Sequence, residues 1–274
     1  MYIEFYRNVV SEGGTSEAFF YAGGSWVLYI VFYYLHGWIF VLADWYGFLD
    51  RYAIRSGSKR LPSMKQQWSA IVEATIDTCL IKPLVLYFSY FYVAEPYITF
   101  NTLAPSWVVI SFQVIACQIV FSTSLFWLHM TLHRVPYLYK HVHKKHHSFH
   151  ETVGFTAQYS HILESVISAL HVVFGVIIVK PHIISYFIFL SLSLIEIVDS
   201  HCGYDVPWNW LYLWSDNYPW GSGARSHDYH HSHNLGTYGG GLIGLWDWLL
   251  GTDKDFREFE LKRTKLEGKK SMIN

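Results

Sequence analysis

Apolar residues run along this chain in long blocks broken by short polar or basic connectors, and the block lengths set the predicted elements. The first block, Trp26 to Phe48, is interrupted only by His36 and Asp44. About 20 helical residues cross a bilayer, so this block predicts a span. The second, Trp68 to Val93, carries Glu73 and Asp77 early and Lys82-Pro83 near its middle. It predicts another span, kinked or split at Pro83, where the ring clashes with the preceding turn and no N–H is available. Residues 94–105 read as a turn, and Pro105-Ser106 opens a third span through Leu128. Two shorter blocks, Ile162 to Val179 and Ile183 to Val198, flank Lys180-Pro181-His182. They are near the lower length limit for a crossing, which leaves two spans or a re-entrant hairpin over 162–198. The expected fold is an all-α integral membrane protein with four to five membrane-embedded helices. Residues 1–274 form one domain, with its core about 106–253 and N-terminal spans at 26–48 and 68–93.

Composition reinforces the membrane reading. The chain is 52% hydrophobic and 15% charged, whereas soluble domains carry about a quarter charged residues. Its 12 Trp and 21 Tyr fit interfacial aromatic belts. The opening residues lack the charged-then-apolar layout of a cleavable signal, so the first span is expected to stay. Cys79, Cys117 and Cys202 are widely spaced and odd in number, which points to buried thiols or a reducing compartment. The net charge of -1 hides three basic regions. These are Arg51 to Lys65, Arg134 to Lys145, and a tail with Lys262, Arg263, Lys265, Lys269 and Lys270. The positive-inside bias places all three on the cytosolic side, beside the bilayer and with no nucleic-acid partner implied.

The candidate chemistry lies in the histidines. His129 and His133 are four apart, and His143, His146 and His147 follow as H-x-x-H-H. His227, His230 and His231 repeat the second spacing. Positions i, i+3 and i+4 share a helix face, so each set is expected to aim at a common point. One structural or hydrolytic zinc needs three or four ligands, and eight histidines suit two metals with open positions. All-nitrogen ligation suits iron, copper or zinc and argues against an iron–sulfur centre. The 227–231 set must fold back over the 129–147 set to close such a site, forming a helical di-metal cap on the cytosolic face. His201 is a candidate ninth ligand and His161 a tenth. Asp199, Asp205, Asp228 and Glu164 are the nearby carboxylates that could take a ligand's second N–H. Asn234 either orients the His230-His231 turn or ends its helix. His141, His150 and His233 read as polar loop positions, and His36, His171 and His182 as isolated structural histidines. Glu73, Asp77, Lys82, Glu164 and Glu196 either pair within the membrane or line a substrate slot. Trp246-Asp247-Trp248 reads as an interfacial anchor.

These motifs resemble the fatty acid hydroxylase/sterol desaturase superfamily, integral-membrane di-iron enzymes marked by HxxxH, HxxHH and a later HxxHH. The text HRVPYLYKHVHKKHHSF, VGFTAQYSH, VDSHCGYDVPW, GARSHDYHHSHNLGTYGG and LWDWLLGTD carries the resemblance, which spans about residues 68–253 and is nearest the C-4 methylsterol monooxygenases. It implies two Fe ions, with zinc as a substitute in a purified form, and no catalytic residue beyond the metal ligands. It also implies O2-dependent hydroxylation of a membrane lipid, in this branch a sterol C-4 methyl group. Electrons would come from NAD(P)H through cytochrome b5 or a reductase, since the chain has no haem or flavin domain of its own. The lipid would arrive laterally, in the endoplasmic reticulum, although nothing in the residues argues against the mitochondrial inner membrane.

The sequence departs from the family text in two places. Ala157-Gln158-Tyr159-Ser160-His161-Ile162 stands where Ala-Glu-Tyr-Ala-His-Pro is usual, and Gly236-Thr237-Tyr238 where Gly-Asn-Tyr is usual. Two other readings remain beside the monooxygenase. One is a non-catalytic or metal-retaining subunit of a larger membrane complex; the other is a zinc-dependent membrane hydrolase, which would use fewer ligands.

Overall fold

The computed structural model describes residues 14–55, 61–100, 103–207, 223–239 and 244–271. Helix α1 runs Gly14–Leu28, continues through π-helical turns Tyr29–Leu35 into His36–Tyr46, and stops at Gly47. Gly47 has φ 74°, a left-handed cap that costs glycine little. This helix starts well before Trp26. Gly23-Gly24-Ser25 looks like a break in sequence, yet a β-carbon at Gly24 would lie 2.5 Å from the Phe187 ring. Gly24 is a packing notch while Gly23 faces open space, and Ser25 donates back to the Tyr21 carbonyl at 2.6 Å.

Helix α2 comprises Met64–Ile76, π turn Asp77–Ile81, Lys82–Ser89 and π turn Tyr90–Ala94. Ser63 and Gln66 form a reciprocal capping box at its start. Of the two outcomes expected at Pro83, a kink or a split, the split does not occur. The wider π turn just ahead moves the carbonyl that the proline ring would otherwise strike. Helix α3, Trp107–Arg134, starts at Ser106, whose Oγ accepts from Val109 N at 3.4 Å. Helices α4 (Ile162–Val179) and α5 (Ile183–His201) follow, then α6 (Ala224–His233), the short α7 (Leu245–Leu250) and α8 (Lys254–Ser271).

Among the described residues, four helices are long and apolar enough to cross a membrane: Ser16–Tyr46, α3, α4 and α5. Helix α2 packs among them but carries Glu73, Asp77 and Lys82. The last two are buried and paired at 3.1 Å. At the turn between α4 and α5, Thr99 N donates to Pro181 O at 3.1 Å and Ile183 N to Thr99 O at 3.0 Å. His182 N also reaches Gln113 Oε1, near the start of α3. The α4–α5 hairpin therefore descends to the far end of the bundle instead of turning back midway. Trp107, Val108, Phe112, Ile115 and Ile119 leave one face of α3 apolar and exposed, as a lipid-facing helix requires.

At the opposite end, ion pairs tie the first connector, the segment after the histidine turns, α6 and α8 together. Arg55 reaches His150 O at 2.6 Å and both carboxylate oxygens of Asp228 at 3.0 Å. Arg225 ties α6 to Glu260 of α8 at 3.0 Å and to Asp205 at 3.3 Å. The segment 149–159 is pressed onto α1, where a β-carbon at Gly154 would lie 2.7 Å from Gly37 O. Phe155 is buried there against Tyr33, Tyr34 and Trp38 of α1.

Candidate metal centre

The last two turns of α3 present His129 and His133 on one face. Val135 then leaves the helix at φ -95° and ψ 106°, as a residue before proline prefers. The chain turns back through π turn Tyr139–His143 and a 3-10 turn, His146–Ser148. Helix α5 brings His201 at its final residue, and α6 closes over all of them with His227, His230 and His231.

Nine histidines converge in two groups. His129, His133, His143, His147 and His230 make one; His146, His201, His227 and His231 make the other. Within each group the available donor atoms lie within 4.8 Å of one another. Neither H-x-x-H-H set serves a single point, contrary to expectation. Adjacent helical positions diverge by about 100°, so His147 turns to the first group while His146 turns to the second. On α6, His230 joins the first group and the i,i+4 pair His227/His231 the second. Each motif thus gives two residues to one centre and one to the other, which locks the two centres together.

Hydrogen bonds fix which nitrogens face inward. His129 Nδ1 donates to Tyr238 O at 2.7 Å, and His230 Nδ1 to Gly236 O at 2.6 Å. His143 Nδ1 donates to Glu164 at 2.7 Å, His201 Nδ1 to Ile197 O at 2.9 Å, and His231 Nδ1 to Phe149 O at 3.0 Å. Backbone carbonyls only accept, so the rings of His129, His201, His230 and His231 each keep a bare Nε2 lone pair. The His129 and His230 Nε2 atoms are nevertheless 3.1 Å apart with no proton to share. His231 Nε2 is buried without any partner. Facing lone pairs are repulsive unless a cation sits between them. Metal–nitrogen bonds of about 2.1 Å place neighbouring donors about 3 Å apart at right angles. The residues therefore fit two metal ions held by imidazole nitrogen.

Electrostatics agree. Burial, and then the neighbouring imidazoles, push the pKa values of His143, His146, His147, His227, His230 and His231 well below the ordinary histidine range. These rings stay neutral and available as donors. Beneath them an apolar slot opens between α3, α4 and α5, walled by Phe121, Leu125, Leu132, Ala169, Val172 and Ile197. His129, His143, His146, His201 and His227 form its ceiling.

Four candidates occupy other positions. His161 is exposed and accepts from Leu163 N at 3.2 Å as the N-cap of α4, outside both groups. Asp199 bonds His36 at 2.7 Å, linking α5 to α1, so it does not orient a clustered ring through that contact. Asp228 points away from the cluster to Arg55 and Thr152. Asn234 ends α6 in the left-handed region at φ 56°. Asp247, read as part of an interfacial anchor, instead holds the loop whose carbonyls orient His129 and His230. Its carboxylate accepts from Tyr238 N at 2.9 Å and Gly239 N at 2.6 Å. The family-like LWDWLLGTD text was the available signal for it. Arg55 carried no sequence signal beyond lying in a basic connector.

Fold and site together define an integral membrane protein with a two-group polyhistidine cluster, fit to hold metal, over an apolar slot. The fatty acid hydroxylase family profile matches residues 114–252. Methylsterol monooxygenase 2-1 of Arabidopsis thaliana is 31% identical over 88% of this chain and 91% of its own length. Methylsterol monooxygenase 1 of Rattus norvegicus is 29% identical over 90% of the chain and 82% of its own. Very-long-chain aldehyde decarbonylase GL1-8 of Oryza sativa subsp. indica is 30% identical over 88% and 90%. No solved structure matches the chain. The chain belongs to the fatty acid hydroxylase family, a family of oxygen-using oxidoreductases, and is a membrane enzyme of that kind.

Proposed function

We propose that this protein is a di-iron monooxygenase that hydroxylates a membrane sterol at its C-4 methyl group, in the endoplasmic reticulum. One observation carries the reading: buried histidines with enforced inward lone pairs roof an apolar slot opening among membrane helices. The methylsterol monooxygenases of plant and animal among its relatives support the sterol assignment. The nine clustered histidines would hold two irons, which when bound supply reductive cleavage of O2 with electrons from NAD(P)H through cytochrome b5 or a reductase. The chain's own residues do the rest. Glu164 and the Tyr238, Gly236, Ile197 and Phe149 carbonyls keep the ligand rings aimed. Phe121, Leu125, Leu132 and Val172 hold the lipid and exclude water from the reacting carbon. The basic face around Arg134, Lys140 and Lys144 is the docking side for an acidic electron donor.

The test is reconstitution of the iron-loaded protein in lipid with NADPH, reductase and cytochrome b5, followed by mass spectrometry of added lipids. A 4-methylsterol should gain oxygen on its C-4 methyl group. Oxygen on an acyl chain instead, or alkane released from an aldehyde, would contradict the sterol branch. No oxidation of any lipid by the loaded protein would favour the non-catalytic subunit reading.

A further inference from the structure

We propose that the slot recognises the hydroxyl group of a lipid alcohol, with Lys82 as hydrogen-bond donor and Gln158 as acceptor. This deepens the lipid-hydroxylase reading and rests on it. Lys82 leaves the π turn of α2 and is 3% exposed, yet its side chain lines the slot beside Tyr29, whose ring centroid lies 5.8 Å from Nζ. Asp77 at 3.1 Å and Ser165 at 3.3 Å take two directions of an ammonium that has three N–H groups. A charged pair at membrane depth is costly, and such residues mark ligand sites when they border a cavity.

Gln158 supplies the complement. Its Oε1 is buried with no hydrogen-bond partner, and the residue lines both this slot and the neighbouring crevice that holds Asp77 and Ser165. A buried acceptor without a donor is disfavoured unless a ligand or water satisfies it. A hydroxyl both accepts and donates, so it satisfies Lys82 and Gln158 together; a ketone satisfies only Lys82, and a hydrocarbon neither. Ser160, Ser168 and Ser200 also border the slot, but Lys82 brings the charge and Gln158 the unpartnered acceptor, so these two decide orientation. Ser165 follows Glu164, which holds His143, so the polar wall adjoins the histidines and not the far end of the slot. The hydroxyl it reads therefore lies close to the carbon presented for oxidation.

The test is equilibrium binding of cholestanol, cholestanone and cholestane to the full-length protein in detergent micelles. Each lost hydrogen bond should weaken binding by about tenfold, giving cholestanol over cholestanone over cholestane. Gln158→Leu should erase the preference for the alcohol over the ketone. Lys82→Met combined with Asp77→Asn, which leaves no unpaired buried carboxylate, should erase the preference for the ketone over the hydrocarbon. Equal binding of all three lipids, or an unchanged ranking in the folded variants, would overturn the proposal. If the double variant does not fold, Gln158→Leu alone decides it. Binding needs neither metal nor electron donor, so failure here is separable from failure of the monooxygenase reading. Protein that ranks the lipids as stated but oxidises none sinks only the latter, and protein that oxidises sterols but binds all three equally sinks only this proposal.

Discussion

Replacing Glu164 by alanine removes the carboxylate that receives the His143 Nδ1 proton at 2.7 Å. Glu164 is 7% exposed, so bulk water does not readily substitute for it. Leaving the buried His143 N–H without its acceptor costs about 1–3 kcal/mol. At about 1.4 kcal/mol per decade this corresponds to about 10–100-fold, the loss seen when such an outer partner of a metal ligand is removed. Glu164→Gln keeps an acceptor oxygen for the same proton and should lose less, about tenfold at most. Chelator competition on the detergent-solubilised protein, with retained metal measured by mass spectrometry and helicity by circular dichroism, reads the effect. Helicity should stay constant while metal retention falls in the order wild type, Gln, Ala. A folded Glu164→Ala protein that holds metal within twofold of wild type would refute the claim that this carboxylate orients His143.

Three further outcomes follow from the same geometry. His146→Ala and His147→Ala alter neighbouring residues but different centres, so each single variant should lose one ion and the double variant both; cobalt-substituted absorption spectra should distinguish the two singles. For acid sensitivity, the folded pKa values of His143, His146, His147, His227, His230 and His231 lie below the ordinary value near 6.5. The unfolded chain therefore binds more protons below that pH, and stability should fall as pH drops through 6.5, by up to about 1.4 kcal/mol per histidine per pH unit. Thermal unfolding of metal-free protein across that range checks it, and a flat profile would contradict it. Arg55→Met removes the link between the first connector, the histidine loop and α6; with Arg55 24% exposed the loss should be about 1–3 kcal/mol, read as a lowered Tm.

The histidines and spans were legible because their signals are local. Block length set α3, α4 and α5 nearly to their ends, and the i,i+4 spacing of His129 and His133 translated directly into a shared face. The division of each H-x-x-H-H set between two centres was not legible. It depends on a tertiary fact, namely that α6 lies across the 143–148 turn so that neighbouring side chains diverge to opposite sides. His161 misled for a related reason. A histidine directly before an apolar helix has a purely local use, capping Leu163 N, that spacing arguments do not weigh. Asp199 and Asp247 both departed from their expected roles, because proximity in sequence to a histidine says nothing about which partner a carboxylate meets. The early start of α1 was hidden by Gly23-Gly24; the side chain that packs at Gly24, Phe187, comes from α5.

The most direct test of the central claim is a metal count on the purified full-length protein, combined with the His146→Ala and His147→Ala variants. Two ions per chain for the wild type, iron when it is produced in iron-sufficient medium, and one for each variant is the result the two-centre arrangement requires. A wild-type protein that binds a single ion at saturation, or two variants that lose the same ion, would contradict it.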